Sequence, residues 1–408
     1  MGTMQLAVKR MFLWEASKLR RLPLLPAVLT AVCLTLALAL SATPARAEVK
    51  TGTIGKGCSY TLDDSGKLTI YPTDGVSGEM APIDKALYDA LPGEGDRLKA
   101  VRSVVVERGV SAPEDSIGLF GGLSAVESLD LSGLDTSQVT EMGNMFRDCH
   151  SLASLDLSHL DTSRVTDVGY MFRGCSSLSS LDLSGWDTSQ AQYMGDMFYG
   201  CSSLAHLDIF DLNTSQVTYM SSMFQGCSSL AHLDLSGWDT SQVIRMDFMF
   251  ADCSSLSSLD LSHFSTSRVT DMSGVFDSCS SLASLNLSGW DTSRVTKMQF
   301  MFSGCSSLAS LDLSGWDTSQ SEGMWGMFLG CSSLSSLAVG ERCGGVLSAD
   351  RHTALPAGVG GWGWHSERDK RWLTTGELSS SRQGVADTYT APEAWRSLVS
   401  PQAATASP

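Results

Sequence analysis

Along the middle of the chain, leucines alternate with polar residues in short bursts, and each burst gives way to apolar residues spaced by three and four. Leu155 and Leu157 alternate with Asp156 and Ser158, the period of two that a half-buried strand needs. Val165, Val168, Phe172 and Cys175 follow at steps of three and four, which predicts one face of a helix or helical turn. Asp161, Thr162 and Ser163 stand just before them as natural N-caps, because their side-chain oxygens accept free amide hydrogens. Gly174 precedes Cys175 and can end the turn. Each unit therefore reads as a short strand, a capped turn and a helical segment.

The pattern repeats. Cysteines at 149, 175, 201, 227, 253, 279, 305 and 331 keep a period of 26, as do phenylalanines from Phe146 to Phe328 and the Thr-Ser pair from 136–137 to 318–319. A methionine column from Met145 to Met327 is broken only by Val275. A period of 20 to 29 headed by Leu-x-x-Leu-x-Leu marks a leucine-rich repeat. No unit can bury its apolar face alone, so the units must stack as a solenoid. The expected fold is α/β, with a parallel sheet on one side, helical segments on the other, and neighbouring strands about 4.8 Å apart.

The ends divide the rest. "SYTLDDSGKLTIYP" carries two β-rich runs around Asp63-Asp64-Ser65-Gly66, a hairpin signal. Residues 48–99 are read as a β-hairpin N-terminal cap and 100–339 as the solenoid. Phe120 and Leu123 sit 26 residues before Phe146 and Cys149, marking a degenerate first turn whose strand, "VRSVVVE", is shifted by one residue. Residues 340–375, rich in Gly and Trp, read as a C-terminal cap, and 376–408, rich in Ser, Ala and Pro, as a flexible tail.

Stacking places the eight cysteines in an inward ladder. A reduced ladder of packed thiols is favoured over paired rungs, because equivalent stacked positions do not point their side chains at one another. Metal binding is disfavoured, since the column lacks clustered ligand spacing. Cys58 and Cys343 flank the array and remain unassigned.

Charge changes the picture of partners. Residues 1–47 read as a signal peptide: Lys9, Arg10, Lys18, Arg20 and Arg21 precede an apolar run from Leu22 to Leu40, and Ala45-Arg46-Ala47 has the form of a cleavage site. An uncleaved anchor is the alternative. Cleavage takes the formal charge from −16 to about −21, which repels nucleic acid and suits an extracellular protein without a membrane span.

Chemistry is sparse. There is no phosphate loop, metalloprotease motif or nucleophile elbow, and no cofactor is expected. Asp64-Ser65-Gly66 echoes half of an aspartic-protease signature but fits a turn better. His206 and His232 share one column, and His159 and His263 another; they read as surface residues. Asp130, Asp156, Asp182, Asp208, Asp234, Asp260 and Asp312 occupy one outward strand position, with Asn286 in the gap. Stacked carboxylates repel; calcium could relieve them, but a solvated, hydrogen-bonded ladder is the preferred reading. Asp135, Asp161, Asp187, Asp239, Asp291 and Asp317 read as caps.

Core columns are almost fixed, whereas two outward ones vary. One runs Glu141, Asp167, Tyr193, Tyr219, Arg245, Asp271, Lys297, Gly323; the other runs Asn144, Tyr170, Asp196, Ser222, Phe248, Gly274, Phe300, Gly326. Aromatic and arginine side chains on a surface are favoured binding anchors, so Tyr170, Tyr193, Tyr219, Arg245, Phe248 and Phe300 are the candidate ligand-binding residues.

The repeat "SLSSLDLSGWDTSQVTxMxxMFxGCSSL", read across residues 177–334, resembles that of BspA-type leucine-rich repeat surface proteins of bacteria, and "CSYTLDDSGKLTI" and the Gly/Trp segment are similar to flanks found there. The resemblance implies an exported, non-enzymatic adhesin whose partners are host matrix proteins, the host cell surface or other microbes. It carries over no shared catalytic or ligand residues. The chain departs from many relatives in showing no wall-sorting motif, so release or non-covalent attachment is expected. A self-associating surface component and a secreted hydrolase are the rival readings.

Overall fold

A computed structural model describes residues 49–88, 97–343, 346, 364–374, 377 and 385–391. The signal-peptide reading, and much of the 340–375 and 376–408 readings, lie outside these residues.

The N-terminal hairpin forms because Asp63 organises its turn. Its Oδ1 accepts the Ser65 amide at 2.9 Å, the Ser65 hydroxyl at 2.6 Å and the Lys67 amide at 3.0 Å, an Asx turn. Gly66 supplies the left-handed residue, φ 84°. Strands β1 (Lys50–Thr53), β2 (Cys58–Leu62) and β3 (Lys67–Pro72) pair antiparallel. After β4 (Gly78–Glu79) and a short helix α1 (Ile83–Tyr88), β5 (Ser103–Val106) joins β3 in parallel. Next come β6 (Val110–Ser111), β7 (Ser128–Asp130) and β8 (Leu134–Asp135). Ser103 pairs with Ser128, one residue short of the later step. The hairpin sheet therefore runs directly into the first coil, and no sheet edge is left between cap and solenoid.

Repeats follow in register. β9 (Ser180–Asp182) pairs with β10 (His206–Asp208), β11 (Ser258–Asp260) with β12 (Ser284–Asn286), and β13 (Ser310–Leu313) with β14 (Ser336–Val339), all parallel and each with equivalent residues opposed. A second parallel ladder of single bridges passes without a break from Asp115 through Glu141, Asp167, Tyr193, Tyr219, Arg245, Asp271 and Lys297 to Gly323.

The helical segments expected on the other side of the coil are not there, and the α/β assignment is corrected to a β-solenoid. Between Val101 and Cys343 the chain contains no helix. The backbone hydrogen bonds show why. The amides of Val168, Tyr170, Phe172 and Gly174 donate to the carbonyls of Tyr193, Gly195, Met197 and Tyr199 in the next coil, while those of Arg173 and Cys175 close tight turns onto Tyr170 and Phe172. Alternate amides thus run along the solenoid axis instead of along a helix. A left-handed residue near every fourth position, such as Asn144 and Asp148 or Tyr170 and Gly174, breaks any helix yet leaves apolar side chains spaced by three and four. The aspartates read as helix caps cap turns: Asp161 Oδ1 accepts the Ser163 amide at 3.0 Å.

Core columns stack. Phe120 through Phe328 form one continuous file of nearly parallel rings, with centroids 5.6–5.9 Å apart, and the Met145–Met327 and Leu152–Leu334 columns beside it are buried. The eight cysteines are reduced and buried. Each thiol donates to the carbonyl of the phenylalanine one coil back, as Cys227 does to Phe198 at 3.2 Å and Cys279 to Phe250 at 3.0 Å. A small apolar donor suits that position. The Thr of each Thr-Ser pair is also buried: Thr136 Oγ1 donates to the Asp161 carbonyl and accepts the Asp161 amide.

At the far end β15 (Trp364–Ser366), β16 (Arg371–Leu373) and β17 (Asp387–Thr390) turn antiparallel, and β17 pairs with β14. β17 lies inside the span read from composition as tail. Its one large apolar residue, Tyr389, is fully buried, and only the partner strand reveals its role. No described helix is long and apolar enough to cross a membrane.

Candidate binding surface

The bridge ladder holds one row of side chains at its own register, and the neighbouring variable column sits in left-handed backbone throughout. Asn144, Tyr170, Asp196, Ser222, Phe248 and Phe300 all have φ between 54° and 60°. For residues with a Cβ this costs roughly 1–2 kcal/mol each, and the ladder bonds on either side hold it. Neighbouring glycines make room for the rings. The Tyr193 ring lies over Gly169 and Gly195, Phe248 over Gly274, and Phe300 over Gly326; an added Cβ at Gly195 would stand 2.9 Å from the Tyr193 hydroxyl.

The candidate residues fall into two groups. Tyr170, Tyr193 and Tyr219 are contiguous, with centroids 6.1 and 5.7 Å apart, and the Tyr193 hydroxyl donates to that of Tyr170 at 3.4 Å. Burial first, and that hydrogen bond second, push the Tyr193 phenol up. Arg173, which the sequence did not single out, lies over the Tyr199 ring at 4.1 Å and the Tyr170 ring at 5.6 Å. Its Nη1 donates to Asp196 at 2.6 Å. Burial raises Asp196, and Arg173 opposes the rise. Arg173 and Tyr199 share a third outward column, three residues after the left-handed one.

Arg245 serves a different purpose from the tyrosines. Its guanidinium bridges Asp247 at 2.9 Å and Asp271 at 3.4 Å, and Lys297 reaches Asp271 at 3.3 Å. Both carboxylates are buried, and removing Arg245 would leave them underpaired. Phe248 packs back over Gly274, and Phe300 meets Trp325 edge-to-face at 4.2 Å. Trp325 was also missed; it is 46% exposed.

The strand side offers a groove of about 810 Å³ lined by Asp156, Asp182, Asp208, His206, His232 and the Leu155, Leu181 and Leu207 floor. Asp156 and Asp182 are tied into their own turns: Asp182 Oδ1 accepts the Ser184 amide at 2.9 Å, Asp156 Oδ1 accepts the Ser158 amide at 3.0 Å and hydroxyl at 2.7 Å, and these bonds hold the Asp156 carboxyl below the usual range. His263 Nε2 pairs with the Leu235 carbonyl at 2.9 Å. Among the described residues no three His, Cys, Asp or Glu side chains converge as metal ligands would.

A family model described as "Mycoplasma protein of unknown function, DUF285" matches residues 115–231, 180–263, 205–286 and 257–339, together more than half of the chain. The chain belongs to the DUF285 family. That match supports a leucine-rich type of repeat and does not single out the BspA type. Two solved structures are similar to the DUF285 chain. One is a leucine-rich repeat protein from Eubacterium ventriosum, 14% identical, covering 71% of this chain and 90% of its own with a TM-score of 0.31. The other is TLR13 in its complex with ssRNA13, 16% identical, covering 53% and 44% with a TM-score of 0.18. No curated protein matches.

Proposed function

We propose that this DUF285 chain is an exported, adhesin-like binding module of a bacterial surface. Its outward ladder engages host matrix proteins, host cells or other microbes. The observation that carries this reading is the contiguous Tyr170–Tyr193–Tyr219 file. Tyr170 stands in costly left-handed backbone, the Tyr193 ring fills space cleared by Gly169 and Gly195, and Tyr219 extends the file as an exposed ring, on a frame whose buried columns hardly vary. Residues held in costly backbone conformations cluster at functional sites, and tyrosine is a preferred interface anchor.

The test is a binding screen of the chain against matrix proteins and host cells, with and without calcium. It is followed by joint alanine substitution of Tyr193, Tyr219, Phe248 and Phe300. Loss of binding at least tenfold is expected, about 1.4 kcal/mol; unchanged binding of every ligand found overturns the surface assignment. A self-associating structural role is the second reading, favoured by exposed Trp325 and Leu329 on the C-terminal coils. It predicts oligomers in sedimentation without a foreign ligand.

A further inference from the structure

The repeats provide an internal comparison. Asp167 and Asp271 occupy the same ladder column, four coils apart. Each uses Oδ1 to accept a backbone amide two residues on, from Gly169 at 2.7 Å and from Ser273 at 3.1 Å. The other oxygen of Asp271 receives two cations from its own column, Arg245 from the coil before and Lys297 from the coil after. At Asp167 those two places hold Glu141 and Tyr193. The guanidiniums near it in sequence are engaged elsewhere, Arg164 on Gln138 and Arg173 on Asp196. Asp167 is half-buried, and desolvation raises its carboxyl despite the Gly169 amide, as expected of an acid with no cation beside it.

The same section already displays how it holds a cation. Arg173 stacks on the Tyr199 face while its fork meets Asp196, a guanidinium shared between ring and carboxylate.

We infer that the Asp167 section of the ladder receives a lysine or arginine side chain of a protein partner, seated against the Asp167 carboxylate and the Tyr193 ring. The inference rests on the binding role proposed above and adds the partner's chemistry. The partner's cation supplies to Asp167 the counter-charge that Arg245 and Lys297 supply to Asp271. The acidic chain, net −16, steers such a basic segment inward.

The experiment titrates the full chain with a capped triarginine peptide and its citrulline counterpart, which has the same shape without the charge. Triarginine binds, weakens as salt is raised, and loses about threefold or more in affinity with Asp167→Asn; citrulline, which lacks the charge for both carboxylate and ring, binds at least tenfold more weakly. Glu141→Arg, which installs beside Asp167 the cation that Arg245 gives Asp271, closes the site in the same measure. Asp156→Asn with Asp182→Asn on the strand side leaves binding unchanged, and circular dichroism shows each variant folded. Equal binding of the two peptides, no binding of triarginine, or an equal loss from the strand-side pair overturns the inference. If triarginine fails while a matrix protein still depends on Tyr193, the binding role stands and the cation site falls. If neither binds, both fall.

Discussion

Gly274 concentrates the packing logic in one residue. Its φ is +59°, and the Phe248 ring occupies the space a Cβ would take. Gly274→Ala should therefore lower stability by about 1–2 kcal/mol or more. Gly315→Ala, at a position with nothing within 4 Å, should stay within about 0.5 kcal/mol; thermal denaturation monitored by circular dichroism compares the two. The thiols make a second residue-scale case. Cys227→Ala removes both volume and the donor to the Phe198 carbonyl, and a loss of about 1–3 kcal/mol in unfolding free energy is expected, read from the shifted denaturation midpoint. Cys227→Ser keeps a donor and should cost less if that hydrogen bond matters. The sequence made the cysteine, phenylalanine and methionine columns legible because burial allows little substitution there. It concealed the left-handed column, because Tyr170, Asp196, Phe248 and Phe300 occupy positions where glycine is the usual signal. Gly274 and Gly326 in that column were the available clue.

The turn ladder decides what the elements are. Spacings of three and four told of a helix because hydrophobic period alone cannot distinguish a helix from stacked four-residue turns whose amides point to the next coil. Only the hydrogen-bond direction separates them. Its energetics depend on pH at both ends. Burial pushes the Cys175, Cys253, Cys331 and Cys343 thiols up to about 12 from an ordinary 9.0. The folded chain thus keeps protons that the unfolded chain has lost. This stabilisation is complete below about pH 9 and disappears as pH rises through about 12. Tryptophan fluorescence should report unfolding in that window, and a thiol reagent near neutral pH should label the buried thiols only after denaturation. At the acid end, turn bonds from Ser158, Ser163 and Ser189 hold Asp156, Asp161 and Asp187 below the usual carboxylate range. Their contribution is present above the unfolded carboxylate value and is lost as pH falls through the lower folded one. An acid titration of stability should fall there.

Across the whole molecule, each coil covers the next, and the two ends are closed by unlike devices: a hairpin sheet continuous with the first strand, and β17 laid antiparallel on β14. Removing the chain from Asp387 onward uncovers the β14 edge. Concentration-dependent association, read by light scattering, should follow; a truncated chain that stays monomeric would show the edge is protected otherwise. The N-terminal hairpin was legible from its Asp-Ser-Gly turn, whose bonds are local. β17 was not, because its place depends on a contact some fifty residues away, Ser336 with Thr390.

The left-handed column also limits what the surface can become. Its eight occupants, Asn, Tyr, Asp, Ser, Phe, Gly, Phe and Gly, include no valine, isoleucine, threonine or proline, the side chains that fare worst at positive φ. Any diversification of this face, by natural descent or by a combinatorial library, draws from a reduced alphabet at one position per coil. The functional groups open to it are those of ring, amide, hydroxyl and carboxylate side chains.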